Sequence, residues 1–241
     1  MPADALALVV AFTVTVIATS MQATIGFGAA ILAVPILEIV DPDLAPVPQM
    51  LIAFPMAAAM LWRERHHVDL RGTRWIIVGR FPGLALGVWL LAVFDDDGIA
   101  IVMAGLVLVA VVMAAGGLTV RRTGPTMFGA GFASGVMGVI GAIGGPPLGL
   151  AYRNESGPTV RATISAVFLV GIVMNVTGRV IAREIAVGDL QVAAFLLPAM
   201  ALGVWSSRFL IGRVEGAPLR LTILVVSAGA AIGLILKVAL G

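Results

Sequence analysis

The sequence predicts an all-α polytopic membrane protein with eight to ten hydrophobic segments in two homologous halves. Composition supports the first part of this prediction: 60% of the 241 residues are hydrophobic, only 12% are charged, and the mean hydropathy is +1.10. A soluble domain is typically about one quarter charged, whereas this chain consists mostly of apolar runs near the ~20 residues that cross a bilayer. An internal repeat and two stretches rich in glycine and proline support the second part.

The hydrophobic segments follow one another through short polar connections, so no soluble domain fits between them. The predicted segments are 4–21, 28–40, 46–62, 75–93, 99–120, 127–143, 146–152, 162–182, 191–211 and 221–240. Segments 28–40 and 146–152 are too short for full spans, and 127–143 runs directly into a Gly/Pro stretch. The first segment lacks the positively charged region of a signal peptide, which favours a membrane helix over a cleaved leader.

A repeat divides the chain into two halves of similar length. Residues 82–89 (P-G-L-A-L-G-V-W) recur 116 positions later as 198–205 (P-A-M-A-L-G-V-W). We therefore predict a first transmembrane repeat at 1–120 and a second at 121–241. Two such halves, each with a helix-breaking stretch, are typical of secondary transporters.

Basic residues in short loops predict the orientation of the halves, because such loops face the cytoplasm. The connection 63–74 carries four arginines and both histidines, whereas Asp95–Asp97 opens an acidic connection. If residues 127–152 enter and leave on one face as a hairpin, the two halves are inverted. If they cross once as a broken helix, the halves are parallel. We favour the inverted arrangement.

Each half has a glycine-rich interruption within an apolar run: I-G-F-G at 25–28 and G-A-I-G-G-P-P at 141–147. Irregular backbone survives at membrane depth only where protein buries it or where it lines a wet cavity. A helix that restarts there presents free N–H groups, which attract an anion. Close helix packing is the alternative role for glycines, but we favour a substrate-lining break. The binding candidates are Gln22, Thr24, Gly26 and Gly28 in the first half, and Gly141, Gly144, Gly145 and Pro146 in the second.

Four further polar residues in apolar surroundings complete the candidate set: Gln49, Arg80, Arg161 and Asn175. Arg80 either meets the anion or extends its long side chain to the cytoplasmic surface, and we favour the latter. Arg161 can offer forked hydrogen bonds to an anion or serve as a positive-inside anchor. Asn175 shares a helix face with Arg179. Glu38 could carry a proton, although we favour an interfacial position.

Three stretches resemble the TauE/SafE family, also called the sulfite exporter or toluenesulfonate uptake permease family. They are I-G-F-G-A-A-I-L-A-V-P-I-L at 25–37, G-F-A-S-G-V-M-G-V-I-G-A-I-G-G-P-P-L at 131–148 and V-R-A-T-I-S at 160–165. The resemblance covers essentially the whole chain. It implies a multi-pass carrier in a bacterial inner membrane, with sulfite, organosulfonates or other small sulfur-containing or carboxylate anions as cargo.

The leading functional prediction is a secondary transporter, favoured as an exporter, that moves a small anion by alternating access around a midplane site. An anion channel with the same helix breaks as its filter is the alternative. An enzyme is not expected, because the spans contain no nucleophile–base or paired-carboxylate pattern. We also expect no cofactor and no metal, since the chain has no cysteine and its two histidines stand alone in a loop. The expected partners are the anion, the lipid bilayer, protons as a coupling ion and a second copy in a homodimer, without nucleic acid.

Overall fold

The computed structural model describes residues 4–115, 120–210 and 217–240, and this part of the chain contains helices and no strands. Ten α-helices follow in order. They are α1 Ala5–Ile25, α2 Ala29–Val40, α3 Val47–Glu64, α4 Leu70–Val93, α5 Asp96–Ala115, α6 Gly124–Gly141, α7 Gly145–Ala151, α8 Gly157–Ile181, α9 Val187–Leu210 and α10 Ala217–Leu240. Each predicted segment corresponds to one helix, so the all-α fold is confirmed. The ends of the predicted segments 99–120 and 191–211 lie outside the described residues.

Among the described residues, six helical stretches are long and apolar enough to cross a membrane. They are Ala5–Ile25, Pro42–His67, Leu70–Val93, Asp96–Ala115, Gly157–Ile181 and Val187–Leu210. Large apolar side chains remain exposed on many of these helices, including Trp62, Trp89 and Trp205. An apolar surface of this kind requires lipid around it, and the chain is therefore a multi-pass membrane protein.

Local sequence explains where several helices begin. Asp69 precedes α4, and its carboxylate accepts a hydrogen bond from Gly72 N–H at 3.1 Å. Ser156 precedes α8 and Pro158 follows it, a pairing that favours a helix start. Both helices therefore start five residues before the apolar runs predicted at 75–93 and 162–182. The first turn of each helix contains polar residues, which a search for apolar runs does not include.

Glycines bring α4 and α6 into direct backbone contact along their length. A Cβ added at Gly79 would lie 2.1 Å from Phe128 O, and one added at Gly83 would lie 2.2 Å from Phe132 O. These contacts advance together along both helices, so α4 and α6 run in the same direction. Helices α1 and α9 form the matching pair, with Phe12 against Phe195 and Thr19 against Gly203.

Two helical hairpins enter the protein from opposite faces. Arg122, before α6, pairs with Glu155, after α7, so this hairpin begins and ends on the face of the arginine-rich connections, here called the basic face. Asp4, before α1, and Asp41, after α2, share a surface pocket on the opposite face. Opposed hairpins are the arrangement that inverted repeats would produce, and the duplication itself stays a prediction.

Candidate functional site

The two hairpin turns meet inside the protein. The chain leaves α1 through Gly26 and enters α2 through Gly28, which have φ values of +111° and +113°. Phe27, between them, packs on α7, where a Cβ added at Gly145 would lie 2.7 Å from Phe27 Cβ. Only glycine permits both this backbone conformation and this close approach. The turns predicted separately from each half are therefore neighbours.

The second turn ends α6 at Gly141 through an alanine in the left-handed region. Ala142 has a φ of +57°, its N–H donates to Gly138 O at 3.1 Å, and Ile143 N–H donates to Met137 O at 3.1 Å. These bonds satisfy carbonyls at the end of α6. Arg179, which is 3% exposed, donates to the neighbouring carbonyls of Val139 and Ile140. A cation at a helix C-terminus stabilises it, and Arg179 therefore supports the interruption.

A cavity lies beside both turns and encloses about 40 Å³ of space that the centre of a water molecule can occupy. A single water needs about 10–15 Å³ on this measure, so the cavity has room for a few waters or a small ion. Its polar lining side chains are Thr19, Gln22, Gln49, Arg80 and Asn175. Apolar side chains, among them Met50, Phe168 and Ile172, form much of the remaining wall.

Arg80 is the cation of this cavity and is only 2% exposed. Its Nη1 donates to Ser134 Oγ at 2.6 Å, and its Nη2 donates to Asn175 Oδ1 at 3.3 Å. Its Nε has no hydrogen-bond partner. None of the ion pairs among the described residues includes Arg80. A buried positive charge held by neutral groups alone is costly, and a bound anion would offset that cost.

Glycines make the space that Arg80 occupies. A Cβ added at Gly171 of α8 would lie 2.4 Å from the guanidinium carbon, and one added at Gly138 of α6 would lie 3.2 Å from Nη2. The side chain therefore passes from α4 between two neighbouring helices. The prediction that Arg80 extends to the surface is wrong. Helix α4 begins at Leu70, which puts Arg80 ten residues, or about 15 Å, from the helix start.

A family model described as "Sulfite exporter TauE/SafE" matches residues 11–234, nearly the whole chain. The chain belongs to the TauE/SafE family. Neither a curated protein nor a solved structure matches it. Membership agrees with the resemblance in the hairpin motifs and shows a membrane transport protein. The cavity of this TauE/SafE protein lies between those two motifs.

Five of the predicted site residues line the cavity: Gln22, Gln49, Arg80, Gly144 and Asn175. Besides Arg80, Asn175 and the carbonyl of Gly144, the two glutamines also hold internal hydrogen bonds. Gln22 Oε1 accepts from Ala29 N–H at 3.0 Å, and Gln49 Nε2 donates to Thr15 Oγ1 at 3.2 Å. Gln22 therefore occupies the first N–H of α2, which we had expected to remain free for the anion.

The other predicted residues lie around the cavity rather than in its wall. They are Thr24, Gly26, Gly28, Gly141, Gly145, Pro146 and Arg161. Thr24 Oγ1 donates to Ser20 O within its own helix. Pro146 and Pro147 occupy the first turn of α7 and supply no N–H. The main positive group at the cavity is therefore the guanidinium of Arg80, and not the free backbone N–H groups that we had predicted.

Arg161 is committed to a carboxylate instead of the cavity. Its Nε donates to Glu64 Oε1 and Oε2 at 3.0 and 2.9 Å, its Nη2 donates to Oε1 at 2.7 Å, and its Nη1 donates to Thr24 O at 3.2 Å. Direct binding of an anion by Arg161, as predicted, would require breaking these bonds. The sequence had missed Ser134, which accepts from Arg80 and donates to Gly144 O at 2.6 Å.

Outside the spans, Asp69 links α4 to the second hairpin. Its carboxylate accepts hydrogen bonds from Gly72 N–H, Tyr152 O–H and Arg122. Partial burial raises the pKa of this carboxyl, but the three donors and the charge of Arg122 outweigh burial and hold the pKa below its ordinary value. Asp69 is therefore anionic at neutral pH and stabilises the basic face.

Proposed function

We propose that this TauE/SafE protein is a secondary transporter that moves one small anion through the Arg80 cavity by alternating access. The unpaired, buried guanidinium of Arg80 is the observation that carries the proposal. An arginine offers an oxyanion two hydrogen bonds in a fixed geometry. The nearby amides of Gln22, Gln49 and Asn175 can orient that anion.

The proposed cargo is sulfite, a small organosulfonate or a carboxylate, and the proposed direction is export. The family description supports sulfite, and the small size of the cavity favours an anion of few atoms. The positive-inside rule supports placing the basic face on the cytoplasmic side, and the proposed location is a bacterial inner membrane. Protons are the proposed coupling ion. The opposed hairpins support two inverted halves that move around the cavity.

Transport by purified protein in liposomes tests this function. Radiolabelled sulfite, a short-chain sulfonate and acetate are offered to the parent and to Arg80→Gln. We expect saturable uptake of at least one anion, and a fall of about 100-fold in the variant, because removing one partner of a buried charge pair costs about 2–5 kcal/mol. Arg74→Gln changes an exposed arginine of the same helix and is the matched control.

Transport by Arg80→Gln at the rate of Arg74→Gln would refute the proposed site. Flux that does not saturate and is accompanied by single-channel current would instead indicate the anion channel. Dependence of the initial rate on an imposed pH gradient tests proton coupling in the same liposomes.

A further inference from the structure

Ion pairs between the two predicted halves occur on one face of the described protein. Glu64 of α3 pairs with Arg161 of α8 at 2.7 Å, and Asp69 pairs with Arg122. Both pairs lie on the basic face. The remaining ion pairs of the described residues join groups of the same half: Arg63–Glu64, Arg122–Glu155 and Arg179–Glu184. Among these ion pairs, those that join the two predicted halves lie on the basic face, whereas on the opposite face Lys237 Nζ donates to the backbone carbonyls of Glu38 and Ile39 at 3.4 and 3.3 Å.

The Glu64–Arg161 pair is shielded from solvent and multiply bonded. The two side chains are 13% and 8% exposed, and three hydrogen bonds join the guanidinium to the carboxylate. Breaking such a pair leaves two poorly hydrated charges, which costs several kcal/mol unless water enters. The pair therefore breaks only in a conformation that hydrates this region.

The pair also covers the first hairpin turn on its basic side. The stem of Arg161 packs on Gly26, where an added Cβ would lie 3.2 Å from Arg161 Cγ, and its Nη1 reaches Thr24 O. Arg63 adds a second connection, because its Nη2 donates to Ala23 O at 3.0 Å. Helices α1, α3 and α8 are thus joined at one point next to the turn.

The cavity lies farther from the basic face than the point where α1, α3 and α8 are joined. Its wall uses Gln49 to Met56 of α3, the part of the helix that begins at the opposite face. Glu64 follows Met56 by eight residues, or about 12 Å along the helix. The Glu64–Arg161 pair and the turn beneath it therefore lie between this part of the cavity wall and the basic face.

We infer that Glu64 and Arg161, supported by Asp69 and Arg122, form a lock that closes the cavity to the basic face and must open once in each transport cycle. This inference rests on the proposed function, and it gives Arg161 a positioning role in place of anion binding. When α3 and α8 separate at this face, water hydrates both charges and the turn at Gly26 becomes accessible. The opposite face has no such ion pair among the described residues; the exposed Lys237 joins the halves there, and water can replace its bonds to the carbonyls of Glu38 and Ile39.

Sided labelling of a cavity cysteine tests the lock. The chain contains no cysteine, so Ala53→Cys, in the cavity wall, introduces the only thiol. A small membrane-impermeant methanethiosulfonate is applied to sealed vesicles of each orientation. Arg65→Cys and Asp95→Cys serve as markers of the two faces. In the Ala53→Cys protein we expect slow labelling from the basic face.

Adding Glu64→Gln should raise the rate of labelling from the basic face by about tenfold, because loss of a shielded ion pair shifts a two-state population at least that far. The charge exchange Glu64→Arg with Arg161→Glu should return the rate toward that of the parent. The matched control is Glu184→Gln, which removes a carboxylate from an ion pair within one half. It should leave labelling from the basic face unchanged.

Three results would overturn the lock. They are an unchanged rate in Glu64→Gln, an equal rise from both faces, and a charge exchange that stays as reactive as Glu64→Gln. Labelling needs no substrate, so these results are independent of the proposed cargo. If Arg80→Gln loses transport but keeps the sided labelling of the parent, the result supports the anion site separately from the lock. If Arg80→Gln transports normally while the lock behaves as expected, the anion site is refuted and the lock is not.

Discussion

Gly171→Ala should displace the anion-binding guanidinium without disturbing the helices around it. The added Cβ would lie 2.4 Å from both Cζ and Nη2 of Arg80, whereas ordinary contacts begin near 3.4 Å. The guanidinium must therefore move by about 1 Å. A shift of this size lengthens its 2.6 Å bond to Ser134 and its 3.3 Å bond to Asn175 beyond useful range. We expect the affinity for the transported anion to fall about 100-fold, since misplacement of a positioned group by ~1 Å has effects of that order.

The assay is a binding titration of purified protein with sulfite, followed by thermal unfolding of the same samples. Gly105→Ala is the control, because a Cβ there meets nothing within 4 Å and gains the same helix propensity of ~1 kcal/mol. If Gly171→Ala binds sulfite as tightly as Gly105→Ala, Arg80 does not hold the anion. Should Gly171→Ala fail to fold, Gly138→Ala provides a second test, since its Cβ would lie 2.7 Å from Asn175 Nδ2 and 3.2 Å from Arg80 Nη2, both at the ends of side chains that can shift.

Three further predictions separate function from stability. Arg80→Met should abolish transport without lowering the melting temperature, because it removes an unneutralised buried charge; a clear fall on thermal unfolding would assign Arg80 a structural role. Gly131→Ala should lower the melting temperature strongly, because its Cβ would lie 2.0 Å from Ile76 O, a backbone atom; retained stability would contradict the close α4–α6 contact. Asp69→Asn should destabilise the protein by less than about 1 kcal/mol, since the carboxylate is partly exposed. Because the folded pKa of Asp69 is below the ordinary 3.8, this difference is complete above that pH and disappears as the pH falls through the folded pKa, as parallel denaturation curves would show.

Hydropathy was sufficient to find the ten helices of the described residues, because apolar residues occupy most positions in each of them. It was less successful at helix starts. Leu70–Arg74 carries two arginines, which lower the local hydropathy although Asp69 caps the helix there. The start of α4 could be predicted from the sequence only by treating Asp69 as a capping residue and accepting polar residues in the first helical turn.

The site was only partly predictable, because its decisive contacts join residues far apart in sequence. Arg80 is accommodated by Gly138 and Gly171, and no local feature of α4 indicates that those helices leave room for it. Arg161 binds Glu64, which is 97 positions away in the sequence, and therefore does not line the cavity. Ser134 is a small hydroxyl of the kind that commonly packs between membrane helices, so nothing distinguished it before Arg80 was seen to contact it.

If the two predicted repeats arose by duplication, the position that matches Arg80 in the second repeat bears on the charge of the site. With the offset of 116 that aligns Pro82 and Pro198, Arg80 corresponds to Leu196, which is fully buried. The cavity therefore contains one positive charge where strict symmetry would give two. Two buried guanidiniums at one small site would repel each other or require a divalent anion, whereas one guanidinium is balanced by a single negative charge. We therefore expect monovalent anions to bind better than divalent ones of similar size. For sulfite, we expect the singly protonated form to bind best, so uptake measured at constant total sulfite should fall as the pH rises and that form is depleted.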